Sequence, residues 1–379
     1  MGGSKLETLP ADNEIEVSLF GPGYGESILV HLGNKEWMVV DSCLTKSKAP
    51  AATEYLRSLG VDPAEAVRMV VATHWHDDHI RGLSSILEQC KNAKFVCSDA
   101  LRSDEFIELA FSHKERSMMT SSGVREFGEV MRILEERVDK KSRFPSPSWA
   151  SADRKIWASG TTGSATIQSE VHSLSPSDAS ITLSKHAIAS LIPRPLDKKK
   201  RVTSRPPNHV AVALWVKVGT SGILLGSDLE NTPDPSTGWV AILDSVTRPQ
   251  GKASVFKIAH HGSITAHEPR VWEELLQVQP HAALTPFIHG STALPTKTDV
   301  ARIIKSSAQS YSTATTKTKE PKTRHSIVSK TIRETVRSIK EVPSSTGVVR
   351  FRKLATDTAD ASWKIDLFGT AVPLKSVCA

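Results

Sequence analysis

The 379-residue chain contains little cysteine, and its four cysteines follow no pairing pattern. Cys43, Cys90, Cys97 and Cys378 are unevenly spaced and form no CxxC motif, which argues against a disulfide scaffold. Reduced thiols are typical of the cytosol, where we expect this protein to be found.

Long apolar runs are also missing. No stretch approaches the roughly 20 apolar residues that a membrane-spanning helix needs, and the polar N-terminal residues lack the apolar core of a signal peptide. These absences predict a cytoplasmic protein that has no membrane partner. With 39% hydrophobic and 23% charged residues, the composition is that of an ordinary globular protein.

Acidic residues are fewer than basic ones, which leaves a formal net charge of +7. This excess favours a polyanionic partner or substrate, such as DNA or RNA. The most cationic stretches are KKKR at 198–201 and KTKEPKTRH at 317–325. Each is equally typical of a solvated loop, so charge alone is a weak indication of function.

Short apolar segments alternate with amphipathic ones over much of the chain. Strands are predicted at 14–20, 28–32, 36–42, 67–73, 94–98, 165–174, 209–218, 223–228, 254–263, 281–287, 348–354 and 363–369, and helices at 51–60, 80–90, 104–119, 123–138, 176–188, 269–278 and 328–340. We interpret the whole chain, 1–379, as one α/β domain. Its core would be formed by 14–99 and 207–379, and 100–206 would be a mainly helical insertion or cap.

One segment, THWHDDH at 73–79, contains three of the 14 histidines of the chain. His74 and His76 alternate at the end of an apolar strand, so their imidazoles can point the same way. Asp78 and His79 follow where the chain turns into a helix. Such a set of nitrogen and oxygen donors suits zinc, manganese or iron, and too many ligands converge for a single tetrahedral ion. The segment therefore predicts a site for two adjacent metal ions.

HWHDDH matches the HxHxDH signature of the metallo-β-lactamase fold, and further motifs extend the resemblance. VVDSC around Asp41, GSDLE around Asp228, and HHGS at 260–263 resemble the later motifs of that family. GPGYGESILVH, GSDLE and KIAHHGS most resemble the branch that contains hydrolase domains of DNA-uptake competence proteins and choline-phosphate esterases. The resemblance implies a four-layer αββα sandwich.

The resemblance also implies roles for individual residues. His74 and His76 would hold a first metal ion, Asp78 and His79 a second, and Asp228 would bridge them. Asp41 would accept a hydrogen bond from a ligand imidazole and fix its tautomer. Two Zn²⁺ ions are expected, with Mn²⁺ as the alternative.

The last ligand of the second ion is left open between His260 and His261. We favour His261, although strand alternation from Ile258 would aim His260 inward. Many members of the family carry one more histidine between HxHxDH and the bridging aspartate, where this sequence offers only His172 and His209. An ordinary structural histidine is the simpler interpretation of each.

A metal-bridged hydroxide that attacks phosphorus or a carbonyl carbon is the chemistry such a site supports. We assign the catalytic roles to Asp78, Asp228 and His261: the carboxylates position the hydroxide and a nearby histidine protonates the leaving group. The resemblance and the basic charge together predict a phosphodiesterase, in particular a nuclease. The alternatives are a lactone, thioester or carboxyl-ester hydrolase with the same metals, and a degenerate, non-catalytic scaffold.

Overall fold

The computed structural model describes residues 5–22, 25–102, 122–159, 167–189, 208–289, 292–316 and 346–377. Several predictions fall outside these residues: the helices at 104–119 and 328–340 and the cationic stretches at 198–201 and 317–325.

The described residues form strands throughout the chain, most of them where the apolar pattern predicts them. They are β1 (Glu14–Gly21), β2 (Ser27–His31), β3 (Trp37–Val40), β4 (Val67–Ala72), β5 (Lys94–Ser98), β6 (Ser148–Ala150), β7 (Arg154–Ala158), β8 (Ser169–Ser173), β9 (Leu214–Val218), β10 (Ser221–Leu225), β11 (Ala253–Lys257), β12 (Leu276–Leu284), β13 (Phe287–His289), β14 (Thr292–Leu294), β15 (Ser310–Ser312), β16 (Gly347–Leu354), β17 (Lys364–Phe368) and β18 (Val372–Pro373). Every residue of β2, β3, β10 and β11 is buried, as continuous apolar runs require when both faces of a sheet are covered.

Two eight-stranded sheets contain nearly all of these strands. The first has the order β17-β16-β1-β2-β3-β4-β5-β6 and the second β18-β15-β12-β11-β10-β9-β8-β7, while β13 and β14 form a separate hairpin. β3 runs parallel to β4, and β10 runs parallel to β11. Segments that follow two parallel neighbours therefore leave the sheet at the same edge.

The helices of the described residues are α1 (Ala51–Ser58), α2 (Pro63–Ala66), α3 (Asp77–Ile80), α4 (Leu83–Gln89), α5 (Ser122–Asp139), α6 (Asp178–Ala189), α7 (Gly238–Asp244) and α8 (Lys297–Ser306). None of them combines the length and the apolarity needed to cross a membrane.

Three apolar clusters define four layers. One lies between the sheets, where Val17 and Val40 of the first sheet are buried in the same cluster as Val216 of the second. The second cluster lies between the first sheet and α1, α4 and α5, and the third between the second sheet and α7 and α8. This order of helix, sheet, sheet and helix confirms the predicted αββα sandwich.

The segment 100–206, which we expected to be a mainly helical insertion, also supplies strands to both sheets. β6 pairs with β5 at one edge of the first sheet, and β7 and β8 extend the second sheet beyond β9. The serine- and proline-bearing stretch near 142–155 looked like a loop because its strands are short and gain their burial from partners distant in sequence, such as Ile156 in the cluster between the sheets. The assignment of the whole chain to one domain stays a prediction.

Two other segments differ from the predicted elements. The helix predicted at 269–278 is a single wide turn, Val271–Leu275, followed directly by β12. The helix predicted at 80–90 begins only at Leu83, as α4, because Gly82 adopts a left-handed conformation with φ +90° and separates it from the short helix α3.

Candidate metal centre

The candidate site lies where four chain segments leave parallel strands. Val40 of β3 is paired with Val71 of β4, which sets Asp41 beside the start of the histidine motif. Leu225 of β10 is paired with Lys257 of β11, which sets Asp228 beside the segment that carries His260 and His261. The predicted residues therefore come from both sheets and meet at one edge of the sandwich.

The ligand-type atoms form two groups that share Asp228. Asp78, His79, Asp228 and His261 form one, and His74, His76 and Asp228 form the other; within each group the atoms lie within 4.8 Å of one another. His260 belongs to neither group.

His74 and His76 face the site because Trp75, between them, faces the other way. Trp75 is buried in the cluster on the outer side of the first sheet. Nε2 of His74 and Nδ1 of His76 lie 3.1 Å apart, and Nδ1 of His74 lies 3.0 Å from the Thr73 hydroxyl. The Thr73 hydroxyl donates to Asp41 at 2.7 Å and can therefore accept from His74, which makes Nε2, on the side of His76, the unprotonated nitrogen of His74.

Asp41 lies behind the ligands rather than among them. Its carboxylate accepts hydrogen bonds from the Thr73 amide at 2.8 Å and from Nδ1 of His79 at 2.8 Å. This contact fixes the His79 tautomer and turns Nε2 towards Asp228, 3.3 Å from Oδ2. The structure thus places Asp41 in contact with the His79 imidazole, and its role in orienting a metal ligand stays a prediction.

His261 and His260 are turned in opposite directions. Both adopt left-handed backbone conformations, with φ +53° and +45°, shortly after β11, from which Ile258 and Ala259 separate them. Nδ1 of His261 donates to the Thr285 carbonyl at 2.9 Å, so that Nε2 lies 3.5 Å from both Asp78 and Asp228. Nδ1 of His260 instead lies 2.8 Å from Glu230.

His172 and His209 do not join either group. Nε2 of His172 lies 3.1 Å from Glu170 on the same strand, β8. His209 is buried in a short turn, Asn208–Val210, and its Nε2 has no hydrogen-bond partner among the described residues. The group of His74, His76 and Asp228 therefore offers three protein ligands, which leaves the open position that a catalytic ion needs.

The donor set fits a pair of divalent ions. Imidazole nitrogens and carboxylate oxygens are the ligands of zinc and related metals. Nε2 of His76 is buried without a hydrogen-bond partner among the described residues. Buried polar atoms are normally paired, so this nitrogen indicates a position that an ion would fill.

The pKa values of the four histidines in the two ligand groups shift in two directions. Burial lowers the pKa of His74 well below its usual value, with a further contribution from the neighbouring histidines, and burial also lowers the pKa of His76. Burial acts in the same direction on His79 and His261, but the surrounding carboxylates together outweigh it. Asp228 and Asp41 raise the pKa of His79 well above its usual value, and Asp228, Asp78 and Glu26 raise that of His261 to about 10.

The two carboxyls respond in the opposite sense. Burial alone would raise the pKa of Asp78 and that of Asp228. The hydrogen bond from His261 to Asp78 and the charges of His261 and His79 on Asp228 outweigh burial and hold both pKa values below the usual range. In the metal-free protein, protonated His79 and His261 therefore neutralise the buried aspartates.

Metal uptake is expected to release protons, because ligand imidazoles must be neutral. Near pH 7 full loading should release about two protons per chain, one from His79 and one from His261. Binding should tighten as the pH rises towards the pKa of His261, about 10. Calorimetric titration in two buffers of different ionisation enthalpy measures this number, and uptake without proton release would contradict the arrangement.

The stability of the metal-free protein should depend on the same protons on His79 and His261. Raised histidine pKa values stabilise the metal-free protein fully below the unfolded value near 6.5, and this contribution is lost as the pH rises through the folded value, about 10 for His261. Since bound ions replace these protons, the gain in Tm on adding metal should be larger at pH 8 than at pH 6.

The fold and the site together define a class: an αββα sandwich with a His- and Asp-lined cluster of candidate metal ligands at one edge. Residues 20–117 match the family model of the metallo-β-lactamase superfamily, a segment that begins at the end of β1 and includes the histidine motif. The architecture is the metallo-β-lactamase fold. Proteins of this superfamily use metal ions, typically zinc.

Solved structures are similar to this chain at low sequence identity and low TM-score. The metallo-β-lactamase fold protein YhfI from Bacillus subtilis is 11% identical, with 79% of this chain and 95% of that chain covered and a TM-score of 0.37. A HARLDQ-motif mutant of a metallo-β-lactamase from Cronobacter sakazakii is 14% identical, with 66% and 77% covered and a TM-score of 0.33. No curated protein matches the sequence.

Several residues that contact the candidate ligands were not identified from the sequence. Thr73 links Asp41 to His74, and Thr285 orients His261 through its carbonyl oxygen. Lys257 is buried beside Asp228 and pairs with the buried Glu26. A lysine between the apolar residues Phe256 and Ile258 was the one available signal, since a charge in a fully buried strand needs a partner.

Proposed function

We propose that this protein is a binuclear metal-dependent hydrolase that cleaves phosphodiester bonds, with DNA or RNA as its substrate. The observation that carries the proposal is the pair of ligand groups joined at Asp228. Residues that follow strands of both sheets converge there. Contacts made by Nδ1 orient the imidazoles of His74, His79 and His261.

The chain's own residues hold and orient the reacting groups. His74, His76 and Asp228 would hold one ion, and Asp78, His79, His261 and Asp228 would hold the other. When bound, two divalent ions lower the pKa of a water molecule and neutralise charge that develops on the substrate oxygens. Asp78 and Asp228, both ionised, position the attacking water, and a histidine beside the cluster protonates the leaving group.

A phosphodiester is proposed as the substrate for two reasons outside the cluster. The net charge of +7 favours a polyanion. GPGYGESILVH, GSDLE and KIAHHGS resemble the branch of competence-protein hydrolase domains and choline-phosphate esterases, whose substrates are phosphodiesters. Zinc is the proposed metal, manganese the alternative, and the cytoplasm the proposed location.

Metal analysis of the purified protein followed by cleavage assays tests this function. About two ions per chain are expected. With zinc or manganese, the protein should cleave plasmid DNA, RNA or bis-p-nitrophenyl phosphate, and a chelator should abolish the cleavage reversibly.

Other outcomes point to other functions. Bound metal without phosphodiester cleavage, together with turnover of p-nitrophenyl acetate or a lactone, would identify an ester hydrolase. A chain that binds no metal would be a scaffold.

A further inference from the structure

A buried ion pair lies beside the cluster and belongs to neither ligand group. Lys257 is the last residue of β11 in the second sheet, and Glu26 directly precedes β2 in the first. The two side chains contact each other, and only 3% and 2% of their respective surfaces are exposed. The pair therefore connects the two sheets at the edge where the candidate ligands meet.

Lys257 contacts the segment that carries the shared carboxylate. Its Nζ donates to the Ser227 carbonyl at 2.9 Å and lies 3.7 Å from Oδ1 of Asp228. The other oxygen of Asp228, Oδ2, lies 3.3 Å from His79 and 3.5 Å from His261. The ammonium group and the ligand imidazoles thus face different oxygens of the same carboxylate.

Glu26 contacts the other half of the cluster through its backbone. Its amide donates to the Asp78 carbonyl at 2.9 Å. Gly25 makes this approach possible: a Cβ at its position would lie 2.1 Å from the Asp78 carbonyl oxygen, and its φ is +131°. Glu26 and Lys257 therefore join the Asp78 backbone to the Ser227–Asp228 segment.

A contribution to the stability of the fold is a weak explanation for the buried Glu26–Lys257 ion pair. Removing two charges from water is costly, and a buried ion pair can often be replaced by apolar residues without loss of stability. The contact with Asp228 gives a stronger reason, because groups that orient a ligand also tune metal affinity.

We infer that Glu26 and Lys257 form a positioning pair for Asp228. The charge of Lys257, 3.7 Å from Oδ1, would orient the Asp228 carboxylate so that Oδ2 faces the ligand imidazoles of His79 and His261, and Glu26 holds Lys257 in place. The pair thereby controls how tightly the two ions are bound. This inference rests on the metal centre of the proposed function and is independent of the substrate.

Metal titration of Lys257→Met tests the inference. Calorimetry with Zn²⁺ is expected to show affinity for at least one ion weakened about 10- to 100-fold. The visible absorption of the Co²⁺-loaded protein should also change, because the coordination of Asp228 changes. A double variant, Glu26→Gln with Lys257→Met, avoids leaving Glu26 unpaired and should show the same two effects.

Arg352→Met provides the matched control. Arg352 forms another buried ion pair, with Glu16, between β16 and β1. Its loss should lower Tm while Zn²⁺ affinity and the Co²⁺ spectrum stay those of the unaltered protein.

Each outcome separates the two proposals. Wild-type Zn²⁺ affinity and an unchanged Co²⁺ spectrum in the double variant would overturn the positioning role, whatever the substrate. Weakened loading in an enzyme that cleaves no phosphodiester would support the positioning role and refute the proposed substrate. A wild-type chain that binds neither ion would overturn both.

Discussion

Asparagine in place of Asp78 is expected to remove metal and hydrolysis together. The substitution keeps the size of the side chain but removes the negative charge that faces Nε2 of His261 at 3.5 Å. Loss of an ion that stabilises the transition state by about 4 kcal/mol lowers kcat/KM about 1,000-fold. Elemental analysis and kcat/KM for bis-p-nitrophenyl phosphate, measured on the same preparation, check both effects.

The neighbouring residue provides the control for Asp78→Asn. Asp77 lies in the same motif, but its carboxylate is partly exposed and pairs with Arg81 at 3.0 Å. Partly exposed ion pairs contribute about 0–1 kcal/mol, so Asp77→Asn should retain its metal and most of its activity. Full metal content and turnover in Asp78→Asn would show that the ions bind elsewhere. Equal losses in both variants would indicate general damage to the loop.

The parts of the fold that depend on local pattern could be predicted from the sequence. β2, β3 and β4 appear as apolar runs because both faces of their sheet are covered. Their burial leaves the following polar residues at the sheet edge, which is why Asp41 and the histidine motif could be located from sequence alone. The order of layers and the role of Asp228 required the resemblance to a known family.

The parts that depend on distant partners could not be predicted. β6 and β7 become strands through pairing with β5 and β8, and the serine- and proline-bearing sequence around them does not indicate strands. Glu26 and Lys257 are 231 positions apart in sequence, so neither reveals the other. Only their burial between the sheets shows that each charge needs the other.

The choice between His260 and His261 could not be predicted either, because it depends on the backbone dihedral angles of these two residues. Strand alternation from Ile258 would aim His260 inward if the chain stayed extended. β11 ends at Lys257, and two successive left-handed residues then reverse the expected order. Such conformations are uncommon outside glycine and are concentrated at functional sites, so periodicity does not predict them.

His261→Ala and His260→Ala should therefore have sharply different metal contents. His261 is buried, its Nε2 lies 3.5 Å from both Asp78 and Asp228, and its other nitrogen is held by Thr285. Its loss should remove the ion bound with Asp78 and reduce turnover about 1,000-fold. His260 is held by Glu230 outside both ligand groups, so His260→Ala should bind as much metal as the unaltered protein.

Zinc analysis together with the Co²⁺ absorption spectrum distinguishes these variants. A spectrum altered only in His261→Ala would assign the ligand to His261 and explain why the chain adopts two left-handed residues in succession. A spectrum altered only in His260→Ala would mean that the segment turns over on binding metal, so that strand alternation predicts the ligand after all. Equal and mild effects in both variants would exclude the HHGS segment from the metal centre and leave the second ion with Asp78, His79 and Asp228 alone.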